Sequence, residues 1–533
     1  MNDSALAYWK SSLLVLPLLL GLALRLVVLS WTDPVAFDSA IYFEMAEFVR
    51  AGAWQKVLAY DYPPLFPAMI ASLETLGVPP PTAGLLLACG LNLAVILPLF
   101  LITRELAGPR AAFAAAFLWA AHPYAVRLSV RALSDSPTAS FVAFSIWIGL
   151  RALRRNNALS AFLAGILSGF AYLTRPEGAE AALGLAVLYL TVEPTRSSAG
   201  SARRFGTRIL WASIPVIGWT LVASPYIASI SHEAGTLTLS KKKSVQSMLG
   251  SVAPVAPVNE RPAASDVGKT SDTSLQQKDT PLASPTVQTR ERRGWLGRAA
   301  WNSYLFQRPL VNGLYPVILF LAIWGIFEVR YGKTPVERSV VALLGGLSGL
   351  HLLVVAGVAS IAGAQYLGGH HFFLLSFYLM PFAGAGVAGA VARIQSRYAN
   401  FSWAPATVTV VIAITIIPAP LTWHDSRGHS LRLAGLWLRQ RLPRERKVVT
   451  NDAKFSFHAG AQRIGLHGNY KGAIDHAREQ GASFVGLSLD SDSARELEPL
   501  IRSGDVKLAV EFAETSGKRV YRYQVYRILP PAW

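Results

Sequence analysis

Five short polar motifs beside apolar runs contain the side chains best suited to chemistry. They are Asp38, Asp61-Tyr62 before two prolines, Asp135 in a Ser-Asp-Ser-Pro turn, Arg175-Pro176-Glu177, and His370-His371. A carboxylate can accept a proton as a general base, and the planar guanidinium of arginine binds a phosphate or a carboxylate. The motifs are therefore candidates for acid–base catalysis and for recognition of an anionic group.

The two isolated aspartates also have a structural interpretation. Asp38 precedes a helical pattern, so its carboxylate could cap the free N–H groups of the first turn. Asp135 precedes another helix that has Pro137 near its first turn, which is again typical of a cap. Both alternatives, cap and functional carboxylate, stay open on position alone.

The Arg175 motif allows two interpretations as well. An arginine at the end of an apolar run can extend to the lipid headgroups, or it can bind a phosphate or a carboxylate. Glu180 lies one helical turn beyond Glu177, where an unpaired carboxylate would be costly in a membrane. We expect a partner for Glu180, either Arg175 or Arg131.

The adjacent histidines and a lysine cluster complete the candidates. His370 and His371 would point to different faces of a helix, whereas two metal ligands on one face need a spacing of three or four. We therefore expect them to anchor at the interface or to hydrogen-bond a substrate. Lys241, Lys242 and Lys243 either bind an anionic lipid headgroup or form a solvated basic patch.

The elements that position these motifs are predicted to be membrane-spanning helices. Only 15% of the 533 residues are charged and the mean hydropathy is +0.35, which excludes an ordinary soluble enzyme, since soluble proteins have about 25% charged residues. Crossing a bilayer takes about 20 apolar residues. Eleven runs are predicted to cross: 12–31, 82–103, 111–125, 137–153, 158–174, 178–192, 208–230, 309–328, 339–361, 371–391 and 403–420.

Charge and cysteine content narrow the function classes further. The net charge is +18, but the basic residues form short clusters between apolar runs, which argues against nucleic acid as a partner. Cys89 is the single cysteine and lies in an apolar run. Neither a disulfide nor a cysteine-based metal site can form within one chain.

The orientation follows from the first run and from the loop charges. The run after Lys10 lacks a small-residue cleavage pattern, so we interpret it as an uncleaved signal anchor with a cytoplasmic N-terminus. The predicted inner loops then contain most of the short-loop Lys and Arg residues, as the positive-inside rule requires. All five polar motifs fall on the outer face, and the region after residue 421 is predicted to be periplasmic.

Three regions are not predicted spans. Residues 32–81 form a long first outer loop with an amphipathic helix that has Tyr42 among its apolar positions. Residues 232–308 are expected to be a flexible outer loop, because 232–294 contain no aromatic residue and cannot form a core. The C-terminal region, 424–533, alternates strand and helix patterns and is predicted to be a small α/β domain.

Four sequence segments together resemble a known family. FDSAIYFEMAEFVRAGAW and DYPPLFPAMIA in the first outer loop, LSDSPTASF and LTRPEGA resemble the bacterial polytopic glycosyltransferases of the GT-C superfamily. The nearest types are the dolichyl-phosphate-mannose protein mannosyltransferases and the aminoarabinose transferases. The resemblance covers about residues 12–230, so residues 1–231 are interpreted as the catalytic module. It extends less distinctly to the later transmembrane helices, residues 309–423, through the segment HHFFLLSFYLMP.

The resemblance implies transfer of a sugar from a polyprenyl-phosphate-linked donor, on the outer face, to an acceptor hydroxyl. Asp38 matches the acidic residue of the family's first loop and would remove the hydroxyl proton. Arg175, Arg131 and the lysines at 241–243 are candidates for binding the leaving phosphate. Ser39 stands where many relatives have a second acidic residue, so no metal is expected.

The sequence thus predicts a multi-pass inner-membrane glycosyltransferase with its active site under the first outer loop. Tyr42 and Tyr62 are expected to shape the cavity entrance, unless they belong to an interfacial aromatic belt. The acceptor is a lipid, a glycan or a protein, which the flexible loop and the C-terminal domain are expected to cover or position. The alternatives are a polar-lipid flippase, for which no related halves or midplane charges are visible, and a non-catalytic envelope scaffold.

Overall fold

The computed structural model describes most of the chain. The described residues are 3–192, 201–241, 307–329, 334–362, 367–398, 411–421, 426–442, 447–465, 470–488, 491–516 and 519–529, without 308, 412 and 413. Most of the loop predicted at 232–308 and most of the run predicted at 403–420 lie outside these residues.

Helices make up the first three quarters of the described chain. They are α1 (Asp3–Leu29), α2 (Phe37–Arg50), α3 (Trp54–Leu58), α4 (Leu65–Glu74), α5 (Pro80–Ala94), α6 (Ile96–Ala121), α7 (Pro123–Ser129), α8 (Asp135–Arg155), α9 (Ala158–Thr174), α10 (Glu180–Thr191), α11 (Ser201–Ala234), α12 (Pro316–Val329), α13 (Pro335–Ala362), α14 (Phe373–Arg397) and α15 (Pro418–Leu421). Short 3₁₀ turns at Pro176–Ala179 and Gly369–Phe372 precede α10 and α14.

Several of these helices have the length and composition of membrane spans. Within the described residues, Pro80–Ala121, Phe205–Ala234, Glu337–Ala359 and Gly369–Arg397 are long and apolar enough to cross a bilayer, and shorter apolar helices accompany them. The predicted class, a helical membrane protein, is confirmed. The count of eleven spans stays a prediction.

The helices pack closely where glycine faces a neighbouring backbone. A Cβ at Gly165 of α9 would overlap the backbone of Pro215 in α11, and a Cβ at Gly325 of α12 would overlap that of Phe382 in α14. Small residues permit this approach, which drives helix association in membranes. The tight bundle gives the polar motifs at its mouth fixed positions.

The first outer loop folds into three short helices, α2 to α4, over the bundle. The apolar side of α2 is buried, including Ile41, Tyr42 and Met45, against α4 and α5. Arg50 of α2 pairs with Glu74 of α4 at 3.0 Å. The predicted amphipathic helix is therefore present, and protein covers its apolar face.

The C-terminal region forms the small α/β domain that the alternating pattern predicts. Among the described residues its strands are β1 (Lys447–Val449), β2 (Gln462–Ile464), β3 (Phe484–Ser488), β4 (Val506–Ser516) and β5 (Arg519–Ile528), in the order β2-β1-β3-β5-β4. β1 is parallel to β2 and β3, while β5 is antiparallel to β3 and β4. Its helices are α16 (Ser426–Arg439), α17 (Ala453–Ala459), α18 (Tyr470–Glu479) and α19 (Ser491–Arg502).

Candidate active site

Asp38 lies in the first turn of α2 and does not cap it. The N-cap residue is Ala36, whose N–H donates to the Ser39 hydroxyl at 3.0 Å. The Asp38 carboxylate instead accepts a hydrogen bond at Oδ1 from the Tyr62 hydroxyl, at 2.9 Å. The capping interpretation is wrong, and the carboxylate is held by a side chain from the segment between α3 and α4 of the first outer loop.

Tyr42 lies four residues after Asp38, so both side chains share one face of α2. Its hydroxyl hydrogen-bonds that of Ser134 at 2.9 Å, and its ring packs edge-on against Tyr62 at 5.2 Å and Phe66 at 5.1 Å. Tyr42 is 3% exposed, so it does not belong to a lipid-facing belt. Together these contacts fix the Asp38 face of α2 against the start of α8.

The two tyrosine hydroxyls stay protonated in this setting. Burial, with the nearby Asp38 carboxylate as the next contribution, raises the pKa of both Tyr42 and Tyr62 well above the usual value near 10. Each therefore acts as a neutral hydrogen-bond donor at physiological pH. Tyr62 can orient the Asp38 carboxylate without taking its role as a base.

Arg175 connects two further carboxylates at the mouth of the bundle. It pairs through Nη1 with Asp135 Oδ1 at 3.0 Å and through Nη2 with Glu177 Oε1 at 3.5 Å. Burial opposes its charge, but Asp135 and Glu177 outweigh burial and raise the pKa of Arg175. The extension to lipid headgroups is thus wrong, because the guanidinium is buried against carboxylates.

The cap predicted at Asp135 is also absent. Ser134 is the N-cap of α8 and makes no side-chain cap hydrogen bond, while Asp135 is the first helical residue. Its carboxylate is directed to Arg175. A carboxylate in the first turn is favoured by the helix dipole as well as by the guanidinium.

These residues form one outer-face cluster. The Tyr42 hydroxyl interacts electrostatically with Asp38, Arg175 and Asp135, so the first outer loop and the two turns meet at one place. We call this group the outer-face cluster, and its members are Asp38, Tyr42, Tyr62, Ser134, Asp135, Arg175 and Glu177. Sequence reasoning placed all of them on one side of the membrane.

Glu180 has partners other than those expected. Its carboxylate lies 2.9 and 3.0 Å from His351 Nδ1 and accepts a hydrogen bond from the Tyr378 hydroxyl at 3.2 Å. The expected pairing with Arg175 or Arg131 is wrong. Glu180, His351 and Tyr378 are all buried and form what we call the buried triad.

The proton arrangement of the buried triad follows from its acceptors. His351 Nε2 lies 2.6 Å from the backbone carbonyl of His371, and a carbonyl can only accept, so Nε2 carries a hydrogen. Nδ1 faces the Glu180 carboxyl group, and one proton between them completes the hydrogen bond. The triad ties α10, α13 and the turn before α14 together.

His370 and His371 lie in the 3₁₀ turn before α14, not on a helix face. Their rings are 4.0 Å apart, and His371 Nδ1 accepts from the Gly368 N–H at 3.0 Å. Within the described part of the chain, no group of three or more His, Cys, Asp and Glu side chains is placed to hold a metal ion. The turn contributes its backbone to the buried triad.

Arg131 lies near the Tyr124 hydroxyl, in the segment between α7 and α8. The Tyr124 ring faces Gly369, and its hydroxyl interacts electrostatically with Asp135, Arg131 and Arg175. Three guanidinium groups, those of Arg127, Arg131 and Arg175, therefore lie near the same aromatic side chain.

Lys241 and Asp61 lie where the first outer loop meets α11. Lys241 Nζ contacts the Leu58 carbonyl and the Glu233 carboxylate, so it fastens the segment after α11 to α3. Asp61 is exposed and interacts electrostatically with Tyr226. Lys242 and Lys243 are outside the described residues.

Sequence reasoning missed a second polar chain inside the bundle. Arg25 of α1 is 1% exposed and donates to the carbonyls of Gly21 and Ala120 and to Asn92 Oδ1, at 2.8, 3.1 and 2.6 Å. Asn92 donates in turn to Ser136, beside Asp135, at 3.2 Å. The available signal was an arginine inside a predicted span, which requires polar partners.

Comparison with known proteins agrees with this arrangement. Residues 61–224 match the dolichyl-phosphate-mannose-protein mannosyltransferase family model. No curated protein sequence matches the chain.

Two solved structures share the fold at low sequence identity. ArnT from Cupriavidus metallidurans, bound to undecaprenyl phosphate, is 14% identical with a TM-score of 0.53, over 96% of this chain and 97% of ArnT. The oligosaccharyltransferase AglB from Archaeoglobus fulgidus was solved with an inhibitory peptide and a dolichol-phosphate. It is 12% identical with a TM-score of 0.52, and the match covers 90% of this chain and 69% of AglB. The resemblance to the GT-C membrane glycosyltransferases that the motifs indicate is thereby confirmed.

Proposed function

We propose that the chain transfers a sugar from a polyprenyl-phosphate-linked donor to an acceptor hydroxyl at the outer face of the membrane, with Asp38 as the catalytic carboxylate. The observation that carries this proposal is the position of Asp38 in the outer-face cluster. Its Oδ1 is bonded to Tyr62, and no described residue donates a hydrogen bond to Oδ2. One carboxylate oxygen is oriented and the other is available to a substrate.

The reaction is a displacement at the anomeric carbon. The acceptor oxygen forms the new bond to this carbon while the bond to the lipid phosphate breaks, and the phosphate leaves with the electron pair. Asp38 Oδ2 takes the proton of the acceptor hydroxyl as the oxygen attacks. The acceptor loses its proton to Asp38, and the lipid phosphate, a singly charged diester in the donor, gains a second negative charge as it leaves as a monoester.

Arg131 and Arg175 are the groups that we assign to the leaving phosphate. Both interact with the Tyr124 hydroxyl, whereas Lys241 is engaged by Glu233 and the backbone of α3. A preorganised guanidinium stabilises charge that develops on a leaving phosphate.

The isoprenoid carrier is supported by the structures with the same fold. ArnT was solved with undecaprenyl phosphate and AglB with a dolichol-phosphate. The apolar helices around the outer-face cluster provide a lipid-facing surface for such a chain. The acceptor classes to test are a lipid, a glycan and a protein.

A common side of the membrane for the first outer loop and the C-terminal domain is supported by a contact between them. Phe43 of α2 packs against Phe457 of α17, with ring centroids 5.1 Å apart. Both regions therefore lie on one side of the membrane, as the loop charges predict. We assign this side to the periplasm and the N-terminus to the cytoplasm, in a bacterial inner membrane.

The test is sugar transfer by the purified chain in lipid nanodiscs. Radiolabelled sugars on undecaprenyl phosphate and dolichyl phosphate are supplied with a membrane acceptor fraction, with and without a chelator. Asp38→Asn should lower the transfer rate by about 100- to 10,000-fold, the usual contribution of a general base. The matched control is Glu47→Gln, which makes the same change at an exposed position of α2 and should transfer at the wild-type rate.

Two results would contradict the proposal. One is wild-type transfer by Asp38→Asn. The other is the absence of transfer from every donor by the wild-type chain, in a fraction shown to support a related transferase. The second result would favour the flippase or scaffold function instead.

A further inference from the structure

The short helix α17 of the C-terminal domain has two differently occupied faces. Phe455 and Ala459, four residues apart, are buried in the core of the C-terminal sheet with Val448 and Tyr523. Ala453, the neighbour of Lys454, is buried instead in the apolar cluster of the first outer loop. Positions four apart share a helix face, so α17 joins the domain to the loop.

The contact with α2 is partly aromatic and partly aliphatic. The Phe457 ring packs against Phe43 of α2 with centroids 5.1 Å apart. Ala453 lies in the same buried cluster as Val35 and Ile41. Apolar groups from two regions more than 400 residues apart in sequence therefore form one continuous core.

A buried ionic group lies beside this apolar contact. Asp33 Oδ2 lies 2.9 Å from Lys454 Nζ and 3.1 Å from His458 Nε2, and Asp33 Oδ1 accepts from the Val35 N–H at 3.1 Å. The side chains of Asp33, Lys454 and His458 are 10%, 6% and 9% exposed. Burial alone would raise the pKa of Asp33, but His458 and Lys454 outweigh it and hold this pKa well below its usual range.

A further charged contact lies along α2. Arg463 of β2 approaches Glu44 at 4.0 Å. The Tyr60 hydroxyl also hydrogen-bonds Glu44, and its pKa is raised by burial first and by Glu44 second. The C-terminal domain thus contacts α2 through α17 and through the strand that follows it.

These contacts lie on a different side of α2 from the outer-face cluster. Asp38 and Tyr42 face the outer-face cluster, whereas Phe43 faces α17. α2 is therefore enclosed between the helical bundle and the C-terminal domain. A displacement of α17 would displace the helix that positions the catalytic carboxylate.

We propose that α17 is a clamp that holds α2, and with it Asp38, in position for transfer, with Asp33 and Lys454 as positioning residues. The α17 clamp consists of Ala453, Lys454, Phe457 and His458 on the domain side. Its catalytic consequence rests on the proposed function. The C-terminal domain thereby has a role in the reaction although no residue of α17 touches the substrate.

The test is a charge exchange between Asp33 and Lys454. The variants are Asp33→Lys, Lys454→Asp and the double exchange, made in the full-length chain in nanodiscs. The matched control is Glu498→Lys, which makes the same acid-to-lysine change as Asp33→Lys, but in the exposed Glu498–Arg502 pair of the C-terminal domain. A milder variant, Phe457→Leu, tests the apolar contact if a single charge reversal prevents folding.

Two measurements separate positioning from general stability. The first is hydrogen–deuterium exchange of peptides covering α2. The second is the kinetics of sugar transfer from undecaprenyl-phosphate-linked donors, with kcat and the donor KM determined separately.

The clamp predicts one pattern across both measurements. Each single reversal should expose α2 to exchange and lower kcat by about 100-fold, the effect of a misplacement near 1 Å, with the donor KM nearly unchanged. The double exchange should restore protection of α2 and most of kcat, since an ammonium and a carboxylate would again face each other, and His458 would keep a carboxylate nearby on its own helix. Glu498→Lys should behave like the wild type.

The inference is overturned if either charge reversal leaves α2 protected from hydrogen–deuterium exchange, or if kcat is unchanged while α2 is exposed to exchange. It is also overturned if the double exchange restores neither the protection of α2 nor kcat. Failure of the proposed function gives a different result. In that case the wild-type chain transfers no sugar from any donor, and the exchange pattern alone decides whether the clamp holds α2.

Discussion

The outer-face cluster and the buried triad are both built around carboxylates, but they satisfy them in different ways. In the buried triad, Glu180 is matched by His351 and Tyr378, and His351 uses its second nitrogen on a backbone carbonyl. In the outer-face cluster, Asp38 is bonded through Oδ1 to Tyr62 and is partly exposed. The first arrangement is closed, whereas in the second no described residue donates a hydrogen bond to the Oδ2 atom of Asp38.

The comparison of Glu180 with Asp38 shows how burial distinguishes a structural carboxylate from one that is proposed to react. A polar group inside a bilayer is costly unless all of its hydrogen bonds are made, so a completed network is what packing alone requires. An oriented carboxylate beside solvent is not required by packing. Substitutions in the two regions should therefore affect different quantities.

The largest expected effect is on catalysis at Asp38. Asp38→Asn should lower kcat by about 1,000-fold and leave the thermal unfolding midpoint nearly unchanged, because the amide oxygen can still accept from Tyr62. Transfer kinetics and thermal unfolding on the same preparation check both parts. A large drop in the midpoint would place Asp38 with the structural carboxylates.

The next effect is on stability, in the buried triad. His351→Phe should lower the free energy of unfolding by about 3–5 kcal/mol, because it leaves the Glu180 carboxylate buried without its main partner. Adding Glu180→Leu should recover part of the loss, since an apolar pair carries no uncompensated charge. Unfolding in detergent mixtures measures both variants.

The outcome of this pair decides the role of the triad. If His351→Phe remains as stable as the wild type but loses transfer, the buried triad takes part in the reaction and the contrast with the outer-face cluster fails. Tyr124→Phe, which removes a hydroxyl near Arg131 outside the triad, is a useful comparison for stability.

A smaller effect distinguishes the two tyrosines of the outer-face cluster. Tyr62→Phe should lower kcat by about tenfold, because Asp38 loses the hydrogen bond that orients it. Tyr42→Phe should cost less in kcat, since its hydroxyl bonds Ser134 and not Asp38. Equal losses in the two variants would show that the aromatic packing, rather than the Tyr62 hydroxyl, fixes the carboxylate.

Much of the site was predictable because the motifs lie at helix ends. The run predicted at 158–174 coincides with α9, so Arg175 follows directly at the end of this helix, and the same reasoning places Asp135 at the start of α8. Hydropathy determines where a span ends, and span ends on one side of a membrane lie near each other.

The pairings were not predictable from the same pattern. Glu180 and His351 are 171 positions apart, and Asp33 and His458 are 425 apart. Hydropathy does not determine how a mostly apolar helix is rotated about its axis, so it cannot say that His351 rather than Arg175 faces Glu180. The capping alternative at Asp38 and Asp135 is wrong because side chains distant in sequence bind both carboxylates.

The smallest effect is the pH dependence that Asp33 adds to the contact between the first outer loop and the C-terminal domain. Its pKa is lowered in the folded chain, so its stabilising contribution is present above the unfolded value near 3.9 and is lost as pH falls below it. Between pH 5 and pH 3 the wild type should lose about 1 kcal/mol more than Asp33→Asn. Unfolding of both proteins at several pH values measures the difference, and parallel pH profiles would mean that Asp33 gains nothing from Lys454 and His458.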